Sequence, residues 1–268
     1  MRWVKAVLTF GLLGCLLKGK PLVPKPPCFV KDPTSAKRFQ TRLRVLSPRN
    51  PTLTKNLQRL RVIGSPQPSF KQLKMLLQEN PQLYGIVDLR KETHFFMKGQ
   101  SISWGTKGNC VNHRTIQEHL SEHAWTELQG LKYLRLHVPD HYPPTIEQIN
   151  TFLQFYKSLP PGAVLLIHCR GGRGRTTTFL TLVDIIENAK CDSFDTILAR
   201  QWRLGGADLR KPRTGVKKRP AETRLKLLKL FYARVRKDAE GSLRPFQRQR
   251  RKTQLPEALS LPPPSVLI

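Results

Sequence analysis

The sequence predicts an α/β fold, a central and mostly parallel sheet flanked by helices in a single domain, on three observations. A continuous apolar run at 163–168 leads through a glycine-rich loop into a helix-spaced stretch. An alternating run at 133–137 leads through a proline-rich loop into another, and an amphipathic stretch at 222–235 closes the patterned region. Strand followed by helix, repeated, suits a parallel sheet, whose neighbouring strands can be joined only by crossovers. Hydrophobic residues at 39% and aromatic residues at 8% supply a real core, which excludes disordered, collagen-like and coiled-coil chains.

From the N-terminus, Met1 to Lys5 is short and cationic, and Ala6 to Leu17 is uncharged. An uncharged run of twelve residues makes an export signal rather than a span, which takes about twenty apolar ones. Residues 1–18 therefore read as an export or lipoprotein signal. Leu12-Leu13-Gly14-Cys15 resembles a bacterial lipoprotein cleavage box with Cys15 as the lipidated residue, which would place the protein in the periplasm or envelope if it is bacterial. Residues 19–56 read as a basic, proline-rich linker, 57–238 as the folded domain, and 239–268 as a basic, proline-rich, disordered tail.

Charge is the outlying property: 47 Lys and Arg against 18 Asp and Glu give +29. Residues 1–50 carry a net +10, 51–240 a net +15 and 241–268 a net +4, so the tails hold about half of the excess. Such a balance implies an anionic partner: phosphate esters, nucleic acid, or an acidic membrane met through the N-terminal segment. Aromatic residues are not interleaved with the basic runs, which argues against nucleic acid.

Five cysteines, Cys15, Cys28, Cys110, Cys169 and Cys191, are too scattered for a disulfide scaffold, and no Cys-x-x-Cys spacing suggests a zinc site. Cys169 alone has a chemical neighbourhood. The strand Ala163 to His168 follows a Pro160-Pro161-Gly162 turn. Cys169-Arg170-Gly171-Gly172-Arg173-Gly174-Arg175 comes next, and Thr176 to Ala189 has helical spacing. Glycines let successive N–H groups turn inward around an anion, and the positive end of the following helix points at the same place. A cysteine in such a cradle has its thiolate stabilised, with pKa values of roughly 3.5 to 7.5 in comparable settings. Arg175 adds a planar fork matching two phosphoryl oxygens.

His168 followed by Cys169-x5-Arg175-Thr176 resembles the signature of the cysteine-dependent phosphatases of the protein tyrosine phosphatase superfamily. The resemblance implies that Cys169 attacks phosphorus, that Arg175 and the amides of 170–175 hold the phosphate, and that an aspartate from a separate loop protonates the leaving oxygen. It implies neither metal nor cofactor. Thr176 would donate its hydroxyl hydrogen bond to the Cys169 sulfur. The acid is sought in Val138 to Thr145, where Asp140-His141 resembles the Asp-His pair of the cysteine-type phytases; Thr145 caps the helix that runs to Lys157. Val87 to His94, Ser103-Trp104 with Asn109 and Asn112, Ile149 to Pro160, Thr176-Thr177, Asn188-Ala189 and the helix Glu222 to Val235 extend the likeness over residues 57–238. The implied fold is the phosphatase fold, with Cys169 and Asp140 at the carboxyl ends of neighbouring strands.

The chain departs from the phytase pattern in being short, in Pro139 before Asp-His, and in Arg170 and Arg173 within the loop. Basic residues at those two loop positions also occur in the phosphoinositide 3-phosphatase tumour-suppressor family, where they face other phosphates of an inositol ring. The resemblance thus implies an inositol polyphosphate such as phytate as substrate, with Arg170, Gly171, Gly172, Arg173, Gly174, His141, Lys217 and Lys218 lining the site. Phosphotyrosine or dual-specificity protein phosphatase, phosphoinositide phosphatase, RNA 5′-phosphatase and a non-catalytic polyanion-binding module are the alternatives. His94, His113, His119, His123 and His137 read as surface or packing residues.

Overall fold

The computed structural model describes residues 28–31, 36–46, 60–97, 100–105, 119–238 and 245–246. The signal segment, Cys15, Cys110, Asn109, Asn112 and the end of the tail lie outside them. The strands are β1 (Cys28–Lys31), β2 (Arg44–Leu46), β3 (Arg61–Pro66), β4 (Leu83–Arg90), β5 (His94–Met97), β6 (Gln100–Gly105), β7 (His119–Leu120), β8 (Lys132–Val138) and β9 (Val164–Cys169). The helices are α1 (Ala36–Arg42), α2 (Phe70–Glu79), α3 (Glu122–Leu128), α4 (Ile146–Lys157), α5 (Gly174–Asn188), α6 (Phe194–Arg203) and α7 (Lys218–Lys237).

The central sheet has five strands in the order β2-β3-β9-β4-β8. β3, β9, β4 and β8 are parallel and β2 is an antiparallel edge. All six residues of β9 are buried, as a strand covered on both faces requires, and this is why its sequence is apolar without alternation. One face carries Phe39, Leu73, Leu76 and Trp125 from α1, α2 and α3. The other carries Phe152, Phe179, Ile197 and Phe231 from α4 to α7. α5 is buried all round between the sheet and α6 and α7, and its Asp184 is paired inside the core, accepting Arg200 Nη2 at 2.5 Å and Gln201 Nε2 at 2.8 Å.

The α/β expectation, with a mostly parallel sheet between helices, holds. The boundaries need correction. The linker expected over 19–56 contains β1, α1 and β2, with Phe39, Arg44 and Leu46 buried; its basic, proline-rich composition hid three short elements completed by partners far along the chain. The disordered tail expected from 239 includes Phe246, buried edge-to-face on Phe231 at 5.8 Å and pinned by Asn150, whose amide donates to the Phe246 carbonyl at 3.0 Å. β1-β6-β5-β7 forms a second, antiparallel sheet that the strand-helix pattern does not announce. Cys169 and Asp140 do stand at carboxyl ends of strands, but β4 separates β9 from β8, so the strands are not neighbours.

Candidate active site

Parallel register sets Pro66 of β3 beside Cys169 and Asp88 of β4 beside His168, so three strand ends converge on one loop. Gly172 has φ 65°, and a Cβ there would lie 2.5 Å from the Pro66 nitrogen, so both conformation and space demand glycine. The loop's outward carbonyls are all held: Gln67 N–H donates to Arg170 O at 3.3 Å, Arg42 Nη1 to Gly171 O at 2.6 Å, and Arg44 Nη2 to Gly172 O at 2.5 Å.

Cys169 is buried at the base of the loop and accepts the Thr176 hydroxyl at 3.1 Å, as the sequence suggests. Burial pushes its thiol up, but the Arg175 guanidinium, the Thr176 hydroxyl and the N–H groups of Thr176 and Gly172 outweigh it and bring the thiol below the ordinary cysteine value. Alkylation of Cys169, followed by peptide mass spectrometry across pH, should have its midpoint below the ordinary thiol range. Thr176→Val should move that midpoint upward, since one donor to the thiolate is lost; an unmoved midpoint would show that the hydroxyl does not act on the sulfur.

Arg175 is also buried. Its Nη1 and Nη2 pair bidentately with Glu92 at 2.9 and 3.0 Å, Nη1 reaches Val138 O at 3.0 Å, and Nη2 lies 3.3 Å from Asp140 Oδ1. Burial raises the Glu92 carboxyl, yet the Arg175 fork holds it down at about 2. Nε of Arg175, buried, donates to no described acceptor, which leaves that edge of the guanidinium for an oxyanion.

Asp140 sits in the loop after β8 with a half-exposed side chain. Its Oδ1 accepts the N–H of His141 at 3.1 Å, and His141 adopts φ 68°, a left-handed conformation costly for a residue with a Cβ. The bend is held from α7: Arg224 Nη2, buried, donates to His141 O at 2.6 Å. The His141 imidazole is lowered by burial and by the cations Lys217, Arg175 and Arg224, against the raising effect of Asp140. Thr145 caps α4 with a full capping box, as expected.

His168 is fully buried behind the nucleophile, with Nε2 3.1 Å from Glu122 Oε2. Burial lowers it and the Glu122 carboxylate more than compensates, so the imidazole is raised. Glu122 also accepts Gln67 Nε2 at 3.1 Å and faces His94 Nε2 at 3.3 Å, while Asp88 accepts Tyr133 Oη at 2.9 Å and Arg135 Nε lies 3.2 Å away. Ligand atoms of Asp88, Glu122 and His168 fall within 4.8 Å of one another, a spacing a cation could bridge, but both carboxylates are already occupied by these donors. His94 thus packs inside a buried ion network rather than at the surface.

The structure brings together Cys169, Arg170 to Thr176, Asp140 and His141. Arg170 is half-buried, and Arg173 is exposed at the mouth of α5. Lys217 stands close enough to depress His141, whereas Lys218, also exposed, opens α7. Sequence reasoning missed Arg42, Arg44, Glu92, Glu122 and Arg224. Glu92 lay within the quoted Val87 to His94 segment and could have been found there; the others carry no local signal.

A family model described as PTP-like phytase, inositol hexakisphosphate, matches residues 106–187. Among curated proteins, the chain is 34% identical over 117 residues to effector protein hopD2 of Pseudomonas syringae pv. tomato, covering 42% of this chain and 25% of that one. It is 36% identical over 81 residues to the uncharacterized protein AvrBs1.1 of Xanthomonas euvesicatoria, covering 29% of this chain and 78% of that one. Among solved structures, the tandemly repeated protein tyrosine phosphatase like phytase from Mitsuokella multacida superposes with TM-score 0.65 at 25% identity, covering 80% of this chain and 45% of that one. A PTP-like phytase from Bdellovibrio bacteriovorus gives 0.61 at 25%, covering 81% and 92%. The chain therefore spans about a quarter of hopD2 and under half of the tandem phytase.

The chain thus pairs the α/β fold of the PTP-like phytases with a buried thiol, depressed by the arginine beside it, at the end of the middle strand of the sheet. In sequence it is similar to the PTP-like phytases over residues 106–187.

Proposed function

We propose that the protein hydrolyses phosphomonoesters of inositol polyphosphates, phytate among them, through a phosphocysteine at Cys169. The reading is carried by one observation: the depressed thiol sits in a cradle whose exposed mouth offers Arg170 and Arg173 beside the phosphate that would be cleaved. The Cys169 thiolate attacks phosphorus and the P–O bond to the inositol breaks. Asp140 gives its proton to the leaving alkoxide, then takes one from the water that attacks phosphocysteine and frees inorganic phosphate. Loop amides and Arg175 Nε stabilise the equatorial oxygens in both steps. Glu92 holds the guanidinium plane by its other edge. His141, Lys217 and Lys218 line the rim. One relative, from Mitsuokella multacida, has a structure in complex with myo-inositol-(1,3,4,5)-tetrakisphosphate, which supports this substrate class. Export, with the N-terminal segment as signal, remains a proposal resting on that segment alone.

Charge at the loop should set substrate choice. Each flanking phosphate can gain about 1 to 3 kcal/mol from a charge-assisted hydrogen bond, which phosphotyrosine, with one phosphate, cannot use. Phytate should exceed a phosphotyrosine peptide in kcat/KM by at least about tenfold at low salt. Replacing both Arg170 and Arg173 by Ala should remove most of that preference and leave hydrolysis of an aryl phosphate nearly unchanged. A double variant that keeps the full preference would sink the substrate assignment.

A further inference from the structure

We propose that Arg42 and Arg44 are positioning residues for catalysis: they hold the carbonyls of Gly171 and Gly172 on the outer side of the loop, and so keep the N–H groups of Gly172 and Arg173 turned toward the bound phosphate. The inference deepens the phosphatase reading of Cys169 and rests on it. In a trans peptide the C=O and the following N–H point to opposite sides, so fixing one fixes the other. The Gly171-Gly172 stretch needs such fixing most, because glycine leaves its peptide planes free to rotate. Arg42 takes the Gly171 carbonyl at 2.6 Å and Arg44 the Gly172 carbonyl at 2.5 Å. Arg44 Nη1 also donates to Thr177 Oγ1 at 2.9 Å, tying the loop to the first turn of α5. In keeping with this orientation, the Gly172 N–H points inward to the Cys169 sulfur.

Arg44 is only 3% exposed and pairs with no carboxylate among the described residues. A buried guanidinium without a counter-ion costs stability. Burial depresses it to about 10, and the Cys169 thiolate opposes that shift. The anions that offset its charge are therefore those of the loop: the thiolate and, during turnover, the phosphate. Both arginines come from α1 and β2, so the segment before residue 57 is part of the catalytic unit.

The test uses Arg42→Lys and Arg44→Lys in the full chain, with three readouts: the inhibition constant for inorganic phosphate, the pH midpoint of Cys169 alkylation, and the thermal midpoint. Lysine keeps the charge but cannot reproduce the planar fork. Arg44→Lys should weaken phosphate at least about tenfold, the size of a lost oxyanion donor, and raise the alkylation midpoint. Arg42→Lys should shift both in the same direction by less. Arg200→Lys disturbs the buried pair with Asp184, about 15 Å down α5 from the loop. It should lower the thermal midpoint and leave the other two readouts unchanged. Phosphate binding and thiol titration within twofold of the parent in both loop variants would overturn the proposal. If Arg44→Lys does not fold, the half-exposed Arg42 decides. A parent that binds phosphate but hydrolyses no ester would count against the phosphatase reading and not against the loop geometry.

Discussion

Replacing Cys169 by Ser is expected to abolish turnover, by on the order of 10^5-fold or more, as removal of a nucleophile does in other covalent enzymes. A serine hydroxyl stays protonated at neutral pH, and the Arg175 guanidinium and loop amides that stabilise a thiolate cannot make an alkoxide of it. The cradle itself should survive. Arg42, Arg44 and Gln67 hold the loop from outside, and none of those contacts involves the sulfur. Inorganic phosphate or a non-turned-over inositol phosphate should therefore still bind Cys169→Ser, within an order of magnitude of the parent, by calorimetric titration. Turnover within tenfold of the parent would show that the nucleophile lies elsewhere.

Asp140→Asn should lower turnover of inositol phosphates by about 10^2 to 10^4, the range for loss of a general acid. The alkoxide of an inositol is a poor leaving group and needs its proton in the transition state. An aryl phosphate with an acidic phenol departs nearly unaided and should lose far less. Asn keeps the size of the side chain and can still accept the His141 N–H at its carbonyl oxygen, so the bend need not collapse. Equal losses on both substrates would assign the proton to another group, with His141 the next to test.

The strand, loop and helix around Cys169 were legible because their signals are local. A continuous apolar run, three glycines and a helical period lie within some thirty consecutive residues, and Thr145 announces α4 by its capping chemistry. Glu122 and Arg224 were illegible for the opposite reason. Each acts across a large sequence separation, on a partner chosen by the sheet order, and in a chain with 47 basic residues no single arginine stands out. Arg42 and Arg44 were further masked by composition, since a proline-rich basic stretch reads as linker until β3 supplies the edge that β2 completes. Phe246 was hidden in the same way: its value lies in Phe231 and Asn150, which its neighbours in sequence do not reveal. The intervening β4 could not be read from strand patterns, because sheet order is a property of crossovers.

That order has a consequence for how the molecule comes into being. β9 is the last strand of the central sheet to leave the ribosome, yet it is the one between β3 and β4. Until it arrives, β3 and β4 share no ladder, and the apolar faces that flank them lie open. Translation at about 5 to 20 residues per second puts roughly 5 to 20 s between completion of β3 and of β9. During that interval the nascent chain holds unpaired strand edges, the species most prone to aggregate or to recruit a chaperone. Insertion of the last strand then closes the sheet and sets the nucleophile in place in one event, so chains cut short before residue 169 should lack a stable sheet as well as activity.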